Sequence, residues 1–378
     1  MKSFSFVIPF PNNTDYWFGG ILLLFMAVSW YYYFRFYVKV KRTKLDTPYN
    51  LPPVSVVIAA RNEINNLKAF LPLWLEQDYP EFEIVITDDG STDGTAEWIA
   101  PLVNENNRLK FVHLDAAYVK MHGKKIALTL GFKAAKYGHF LLTDADCKPA
   151  GNQWIKHMAA PFSGGAEVVL GYSPLHAGNG FLGRLIRYET LLTAMNYMGF
   201  AIAGQPYMGV GRNLAYSRRI HNSVNGFSAH YYLPAGDDDL FVQSVATAQN
   251  TAVVIHPEAL TWSKAKSTWS DYIRQRIRHL WIGKYYDSGV KRKLGLFSMV
   301  QLLFWFAILP WFFMTSSPLY PVGILLLKLL PEWIIFYGRS RSLKIKGVAG
   351  FYPFWSFFHP FWYTFIGIRA FFAKKPVW

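Results

Sequence analysis

The sequence predicts an α/β domain with a Rossmann-like parallel sheet, flanked by transmembrane helices. Two observations predict the domain: short β-rich runs alternate with helical stretches between Pro52 and Trp281, and two of the buried-type strands end in acidic residues. A third observation predicts the flanking helices. Apolar blocks of about 20 residues, the length that crosses a bilayer, stand before and after this domain.

The first apolar block covers residues 17–38 and follows an N-terminal segment, residues 1–16. It lacks both the basic stretch directly before it and the small-residue cleavage site of a signal peptide, so we interpret it as a retained anchor. The basic run Lys39–Lys44 comes directly after it. By the positive-inside rule, this run predicts a cell-membrane protein whose next domain is cytoplasmic.

The cytoplasmic domain is predicted over residues 52–281. Buried-type strands are predicted at residues 54–59, 83–87, 111–114 and 139–143, with helices at 62–77 and 124–136 between them. This order implies parallel strands joined by right-handed crossovers. Beyond residue 150 the order becomes mixed, with a strand predicted at 168–172 and helices leading through 209–219.

The C-terminal membrane region is predicted over residues 282–378. Its apolar blocks cover residues 294–315, 318–338 and 351–372. The basic residues 291–293 and 339–346 fit the cytoplasmic side. A full crossing by the last block would leave Lys374 and Lys375 outside, and the block contains two prolines, so it is predicted either to span or to be re-entrant.

The chain has 378 residues and a formal net charge of +15. No nucleic-acid-binding motif accompanies this charge, so we expect no nucleic-acid partner. Membrane lipids with anionic headgroups and an anionic substrate both remain compatible with it. The single cysteine, Cys147, excludes an intrachain disulfide and agrees with a reducing compartment.

Acidic pairs follow two of the predicted strands. Asp88 and Asp89 end one strand, and Asp144 and Asp146 end another. Carboxylates at the C-terminal ends of parallel strands point into the crevice where open α/β sheets bind ligands. Asp144 and Asp146 alternate, so both can face one Mg²⁺ or Mn²⁺ ion, which prefers oxygen ligands. The alternative interpretation is a solvated turn after the strand and, for the Asp88 pair, a helix cap.

A third acidic segment carries further candidates. Asp237, Asp238 and Asp239 stand at an expected helix start, where acids are favourable, but their crowding also suits a general base.

The basic amphipathic segment Tyr272–Trp281 is typical of an interfacial helix, and its Arg278 can hold a diphosphate. Gln275 lies three residues earlier on the same helical face. The glycines around residue 210 follow no clear strand, so they do not indicate a dinucleotide site.

Together these segments resemble the inverting family 2 glycosyltransferases, a membrane-bound group that includes cellulose and hyaluronan synthases. The resemblance runs from Val54 to about Trp281 and rests on an ordered set of motifs: VSVVIAARNE, EIVITDDGSTDGT, GKKIALTLGFKAA, LLTDADC, GVGRNLAYSRR, GDDDL and QRIRH. It implies the GT-A fold of a nucleotide-sugar-binding domain. It also implies transfer of a sugar from a nucleotide-diphosphate sugar to a hydroxyl of a lipid-linked or saccharide acceptor.

The resemblance also implies roles for individual residues. The residues expected to line the nucleotide pocket or contact the donor are Ala59, Asn62, Glu63, Asp88, Asp89, Lys124 and Asp144, with Asp237 beside the site. Asp146, together with Asp144, is expected to ligate a divalent metal. Asp238 is expected to be the catalytic base, with Asp237 and Asp239 as alternatives. Gln275 and Arg278 match the element that covers the donor diphosphate, but His279 stands where the family has tryptophan.

Several functions compete with this one. The nearest variant is a processive synthase that extrudes its polymer; the few spans and His279 favour single transfer instead. A nucleotidyltransferase would need a glycine-rich, basic loop after the first strand, which residues 59–63 do not supply. A non-catalytic membrane scaffold or lipid-binding protein would not require the acidic clusters. A transporter is disfavoured by the few intramembrane charges.

Overall fold

The computed structural model describes residues 9–43, 50–114, 123–233 and 235–374. Parts of four predictions fall outside these ranges: residues 1–8 of the N-terminal segment, Lys44 of the first basic run, Lys375, and the last residues of the C-terminal region. Within the described ranges the α/β class with flanking apolar helices is confirmed.

The main sheet has the strand order β3-β2-β1-β4-β8-β6-β9. Its strands are β1 (Val54–Ala60), β2 (Phe82–Asp88), β3 (Leu109–His113), β4 (His139–Asp144), β6 (Val168–Leu170), β8 (Leu214–Ser217) and β9 (Thr251–Val253). A smaller sheet contains β5 (Lys148–Pro149), β10 (Thr261–Lys264) and β7 (Leu175–His176). Strands β1 to β4 pair in parallel, whereas β8 pairs antiparallel to both β4 and β6.

The helices are divided between the sheet domain and the apolar regions. In chain order they are α1 (Asn13–Arg35), α2 (Ile64–Leu75), α3 (Thr95–Glu105), α4 (Lys124–Ala134), α5 (Trp154–Ser163), α6 (Phe181–Ile202), α7 (Arg218–Ser223), α8 (Asp239–Val245), α9 (Trp269–Ile282), α10 (Ser288–Met314), α11 (Leu319–Ser342) and α12 (Tyr352–Phe372). Strand β8 lies where the sequence led us to expect helices. All four residues of β8 are buried, so the strand lacks the alternation of buried and exposed positions by which a half-buried strand is predicted.

The strand register brings the predicted acidic residues to one edge of the sheet. Strands β1 and β2 are almost fully buried because helices cover both faces of a parallel sheet. In the register, Ala59 of β1 pairs with Asp144 of β4, and Ala60 pairs with Asp88 of β2. The carboxyl ends of these strands therefore lie side by side, as the sequence predicted.

Three helices in the described part of the chain are long and apolar enough to cross a membrane: α1, with the short turn that follows it, α10 and α11. They pack around a buried polar cluster. Lys328 and Glu332 of α11 are completely buried and form an ion pair of 2.8 Å. Gln301 of α10 accepts a hydrogen bond from Lys328, and Ser29 of α1 donates to Glu332.

Helix α12 lies between the sheet domain and the candidate membrane-spanning helices. On one side it packs against α9, and on the other against α10 and α11. Tyr188 of α6 stacks on Trp355 of α12, while the indole N–H of Trp305 in α10 donates to the backbone oxygen of Ser356. Its outward face is apolar and exposed at Phe365 and Phe372. Helix α12 thus couples the sheet domain to the apolar helices.

Candidate active site

A cavity of about 990 Å³ opens at the carboxyl edge of the main sheet. It collects seven residues that the sequence predicted for the site, namely Lys124, Asp144, Asp146, Asp237, Asp238, Gln275 and Arg278. It continues between α9, α10 and α12 towards the apolar helices. Its volume lies at the upper end of the roughly 300–1,000 Å³ that ligand pockets occupy.

Lys124 links two of the acidic clusters. It is the first residue of α4, and its Nζ lies 2.7 Å from Asp144 Oδ1 and 3.2 Å from Asp237 Oδ2. Burial alone would lower the pKa of Lys124, but the facing carboxylates raise it above its ordinary value. The lysine is therefore a fixed positive charge inside the cavity.

Asp144 and Asp146 are the two residues of the cavity that could hold a divalent metal ion together with a bound ligand. Both line the cavity. Burial and the neighbouring Asp144 raise the pKa of Asp146, so negative charge at this position is only partly compensated. A cation beside the two carboxylates would relieve this. Two protein carboxylates suit Mg²⁺ or Mn²⁺, because such ions commonly keep waters and bind substrate phosphates as well.

The three acids at the start of α8 point to different partners. Asp237 faces Lys124, and buried Asp239 accepts a hydrogen bond of 2.8 Å from the Tyr286 hydroxyl. Asp238 caps the helix by accepting from the backbone N–H of Asp239, and burial together with Asp237 raises its pKa. Of the three, Asp238 is the least buried. Like Asp237 and Asp239, it lines the cavity, so it can contact a bound ligand.

A glycine that sequence analysis left without a role holds Asp238 in place. The backbone N–H of Gly211 donates to Asp238 Oδ2 at 2.9 Å. A Cβ at this position would come within 3.1 Å of Lys124 Nζ and 3.4 Å of Asp238 Oδ2. The close approach therefore explains the glycine. The sequence signal for this close approach is the glycine-rich run before β8, which does not indicate a dinucleotide site.

Helix α9 forms one wall of the cavity. Gln275, Arg278 and His279 all line it. The neighbouring Arg276 does not face the acids of the sheet edge. Its Nε instead lies 3.2 Å from the buried carboxylate of Glu189 in α6, which also lies 3.3 Å from His359 Nε2 of α12. These contacts fix α9 against α6 and α12, a long-range arrangement that the sequence pattern did not signal.

The other predicted donor-binding residues lie beside the cavity and not in its wall. Asp88 is completely buried, accepts from Ser91 and lies 2.8 Å from His113 Nδ1, so it orders the turn after β2. Asp89 accepts from the backbone N–H of Gly123 at 2.9 Å and lies 3.6 Å from Arg61. Asp89 therefore fixes the residue directly before Lys124.

Ala59, Asn62 and Glu63 form the rim at the end of β1. Ala59 is partly exposed beside Asp144. Asn62 has a left-handed backbone, with φ of 55°, and its side chain accepts from the Thr92 N–H at 2.8 Å. Burial raises the pKa of Glu63, and the nearby Asp146 adds to this effect. Glu63 therefore sits within electrostatic reach of the Asp144 and Asp146 pair.

Comparison with protein families gives two overlapping matches. Residues 55–224 match the family described as glycosyl transferase family 2, and residues 150–367 match glycosyl transferase family group 2. Together the matches include the sheet edge, α9 and most of the C-terminal helices.

Individual relatives agree. The poly-beta-1,6-N-acetyl-D-glucosamine synthase of Staphylococcus epidermidis is 31% identical over 147 residues, which are 39% of this chain and 33% of that protein. The synthase of the same name from Staphylococcus aureus is 30% identical over 154 residues, with the same coverage. The match thus spans about a third of the length of these curated relatives.

Among solved structures, a mannosyltransferase from Pyrobaculum calidifontis in complex with GDP-Man and Mn²⁺ has a TM-score of 0.59. It is 17% identical and covers 95% of this chain and 100% of its own. At this identity the likeness concerns the fold alone, and it extends over both the sheet domain and the apolar helices.

Proposed function

Because the chain belongs to glycosyl transferase family group 2 and has the GT-A fold, we propose that it is a membrane-bound inverting glycosyltransferase. In this proposal it transfers a sugar from a nucleotide-diphosphate sugar to a hydroxyl of a lipid-linked or saccharide acceptor. The observation that carries the proposal is the meeting of Lys124, the Asp144 and Asp146 pair, Asp238 and Arg278 in one cavity.

The chemistry is a single displacement at the anomeric carbon of the donor. Asp238 accepts the proton of the acceptor hydroxyl, whose oxygen forms the new bond to the anomeric carbon. The bond between this carbon and the diphosphate oxygen breaks, and the electron pair leaves with the nucleoside diphosphate. Attack opposite the leaving group inverts the configuration, so the enzyme needs no nucleophile of its own.

Two positive groups of the cavity, Lys124 and Arg278, receive the leaving group. Lys124 is held in the cavity by two carboxylates and can turn to a phosphate when the donor arrives. Arg278 lies on the α9 wall, where its planar guanidinium can donate two parallel hydrogen bonds to a diphosphate. Fixed donors aimed at developing negative charge lower the barrier because they need no reorganisation during the reaction.

Asp144 and Asp146 would hold the divalent ion, either Mg²⁺ or Mn²⁺. When bound, such an ion supplies charge neutralisation for the donor diphosphate. The mannosyltransferase of similar fold was solved with Mn²⁺, which supports a divalent ion here. The raised pKa of Asp146 supports a bound cation independently, because it indicates that neighbouring positive charges only partly neutralise this carboxylate.

The base and ribose of the donor would lie along the ends of β1 and β2. Ala59, Asn62 and Glu63 provide the rim, and Asp89 accepts from the backbone N–H of Gly123, the residue before Lys124. Asp88 supports the same surface from beneath, through Ser91.

We place the catalytic domain on the cytoplasmic side of a cell membrane. The ends of α1 and α11 meet there, since Arg339 donates to the backbone oxygens of Val38 and Val40 at 2.8 Å. Lys293, at the start of α10, donates to Gln205 of the sheet domain at 2.7 Å. The basic residues next to all three candidate spans thus lie on the side of the sheet domain, as the positive-inside rule requires.

The direct test measures nucleoside diphosphate released by the purified full chain from a panel of nucleotide sugars, with Mn²⁺, Mg²⁺ or EDTA. We expect metal-dependent release from one donor. If the acceptor is missing from the assay, no turnover is seen even in an active enzyme. Titration calorimetry then measures whether the chain binds the nucleotides and metals. A chain that neither binds nucleotide nor turns over any donor would contradict the proposal and favour a non-catalytic scaffold.

A processive synthase is the second candidate. The relatives named poly-beta-1,6-N-acetyl-D-glucosamine synthase favour it, as does the continuation of the cavity between α9, α10 and α12. Size analysis of the product separates the two, because a single transfer gives one added sugar and a processive enzyme gives long chains.

A further inference from the structure

A shallow groove of about 390 Å³, open to the surface of the protein, lies between α10 and α12, and we call it the second cavity. Four of its lining residues, Ser298, Tyr363, Gly367 and Phe371, also line the catalytic cavity. The two cavities therefore share a wall at which α10 and α12 face each other. The second cavity extends the first sideways, away from the sheet edge.

The outer part of this second cavity lies on the surface of the apolar helices. Met299, Ile368 and Phe371 line it and are 51%, 56% and 69% exposed. Helix α10 is one of the candidate membrane spans. With α10 in a membrane, these exposed apolar side chains of α10 and α12 would face lipid hydrocarbon and not water, and the cavity would open towards the bilayer.

Two polar residues that line the second cavity, Ser298 and Thr364, have hydroxyls that are engaged within their own helices. The Ser298 hydroxyl donates to the backbone oxygen of Leu294, and the Thr364 hydroxyl donates to that of Pro360. Both hydroxyls are thus already bonded within their own helices. What remains towards the cavity is largely methyl, methylene and aromatic surface.

We propose that the space between α10 and α12 is a lateral portal, through which a hydrocarbon chain of the acceptor lipid reaches from the bilayer while its headgroup lies in the catalytic cavity. The inference rests on the proposed glycosyltransferase function and names its acceptor class. Lys284 stands at the junction of the two cavities, where its Nζ donates to the Phe371 backbone oxygen at 2.9 Å. A cation at this point suits the phosphate of a lipid headgroup.

A growing polysaccharide is a poorer occupant of this portal. A sugar chain carries many hydroxyls, and each one that is buried without a hydrogen-bond partner is unfavourable. The hydroxyls of Ser298 and Thr364 are already engaged, so they offer a sugar chain little. A hydrocarbon chain meets no such penalty.

The test fills the portal with a side chain. Gly367 of α12 lines both cavities, and a Cβ there would meet nothing within 4 Å, so Gly367→Trp can occupy the space without a backbone clash. Gly323 of α11 provides the matched control, since its Cβ also meets nothing within 4 Å and it lines neither cavity. Leu302→Trp fills the portal from α10 at a residue that lines the second cavity and not the catalytic one, and it covers the case in which Gly367→Trp does not fold.

The assay uses the full chain in nanodiscs of phosphatidylcholine with phosphatidylglycerol as the lipid probe. It follows labelled sugar into the organic and aqueous phases, and donor binding is measured in parallel. We expect Leu302→Trp to bind the donor like the wild type but to lose at least about 90% of transfer into the organic phase. Gly367→Trp should lose the same transfer, whereas Gly323→Trp keeps it.

Two results would overturn the portal and leave the proposed function standing: undiminished lipid labelling in both portal variants, or wild-type product found solely as water-soluble saccharide. A wild-type chain that binds no nucleotide sugar would instead overturn the glycosyltransferase function, and the portal with it.

Discussion

The Lys124 ammonium lies 2.7 Å from Asp144 Oδ1, which joins the first turn of α4 to the end of β4. The same Nζ reaches Asp237, two residues before α8 begins. One lysine thus balances carboxylates from two separate acidic clusters. In the proposed reaction, the positive charge of this lysine would stabilise the negative charge on the leaving diphosphate.

Replacing Lys124 by methionine should therefore impair transfer more than folding. We expect kcat/KM to fall by about 10²-fold or more, the usual loss when a donor to developing negative charge is removed. Lys133→Met, at an exposed position in the last turn of the same helix, is the control and should behave like the wild type. Steady-state kinetics on both variants decide this, and an unaltered kcat/KM for Lys124→Met would remove the lysine from the mechanism.

The roles of Asp238 and Asp237 can be distinguished because Asp238 is proposed to act in proton transfer and Asp237 in donor binding. Asp238→Asn should lower kcat by about 10²–10⁴-fold, the range typical of a lost general base, while donor affinity stays unchanged. Asp237→Asn should weaken the hold on Lys124 and so act mainly on donor binding. Calorimetry for the donor and single-turnover transfer distinguish them. If Asp237→Asn shows the larger loss of transfer, the base is Asp237.

The sequence predicted the sheet edge well because each strand carries its own local signal. The apolar run before Asp144 and the run before Asp88 both became parallel strands, and the acids fell at the same edge. Local signals could not reveal that Asp88 turns inwards to His113, or that Gly211 binds Asp238. Both depend on contacts between distant segments, as does the pairing of Arg276 with Glu189.

Asp146→Asn should weaken metal binding without unfolding the domain. The substitution keeps the shape of the side chain but removes its negative charge, which burial and Asp144 already disfavour because they raise the pKa of Asp146. We expect a weaker Mn²⁺ affinity in a titration followed by electron paramagnetic resonance, together with loss of metal-dependent turnover. Glu97→Gln, an exposed change on α3, serves as the control. Wild-type Mn²⁺ affinity in Asp146→Asn would refute the metal assignment.

The pH dependence of stability should report on Asp239. Burial and the neighbouring Asp238 raise its pKa in the folded chain from 3.8 to about 7. Between these values the folded state binds more protons than the unfolded state, so this residue lowers stability as the pH rises from about 4 to about 7. Above that range its effect is constant.

Asp239→Asn should therefore raise the thermal midpoint at pH 8 and change it little at pH 4, since the amide oxygen can still accept from Tyr286. Melting curves without donor or metal, at both pH values, measure the difference. A larger gain at pH 4 than at pH 8 would reverse the predicted sign and show that Asp239 is ionised in the folded chain at low pH.

The buried ion pair of α11 should be sensitive to the loss of one partner and tolerant of the loss of both. Lys328 and Glu332 are completely buried and 2.8 Å apart. Removing one member of such a pair typically costs about 3–5 kcal/mol, because the other charge remains without compensation. Lys328→Met alone should thus destabilise strongly, since Ser29 and Tyr352 can donate to the remaining carboxylate but cannot neutralise it.

The double variant Lys328→Met with Glu332→Leu should recover much of this loss, because it leaves neither charge in the apolar region. Unfolding of both variants and of Glu332→Leu in mixed detergent closes the double-mutant cycle. If the two single losses simply add in the double variant, the pair contributes no coupling, and the position of these residues would need an explanation other than mutual neutralisation.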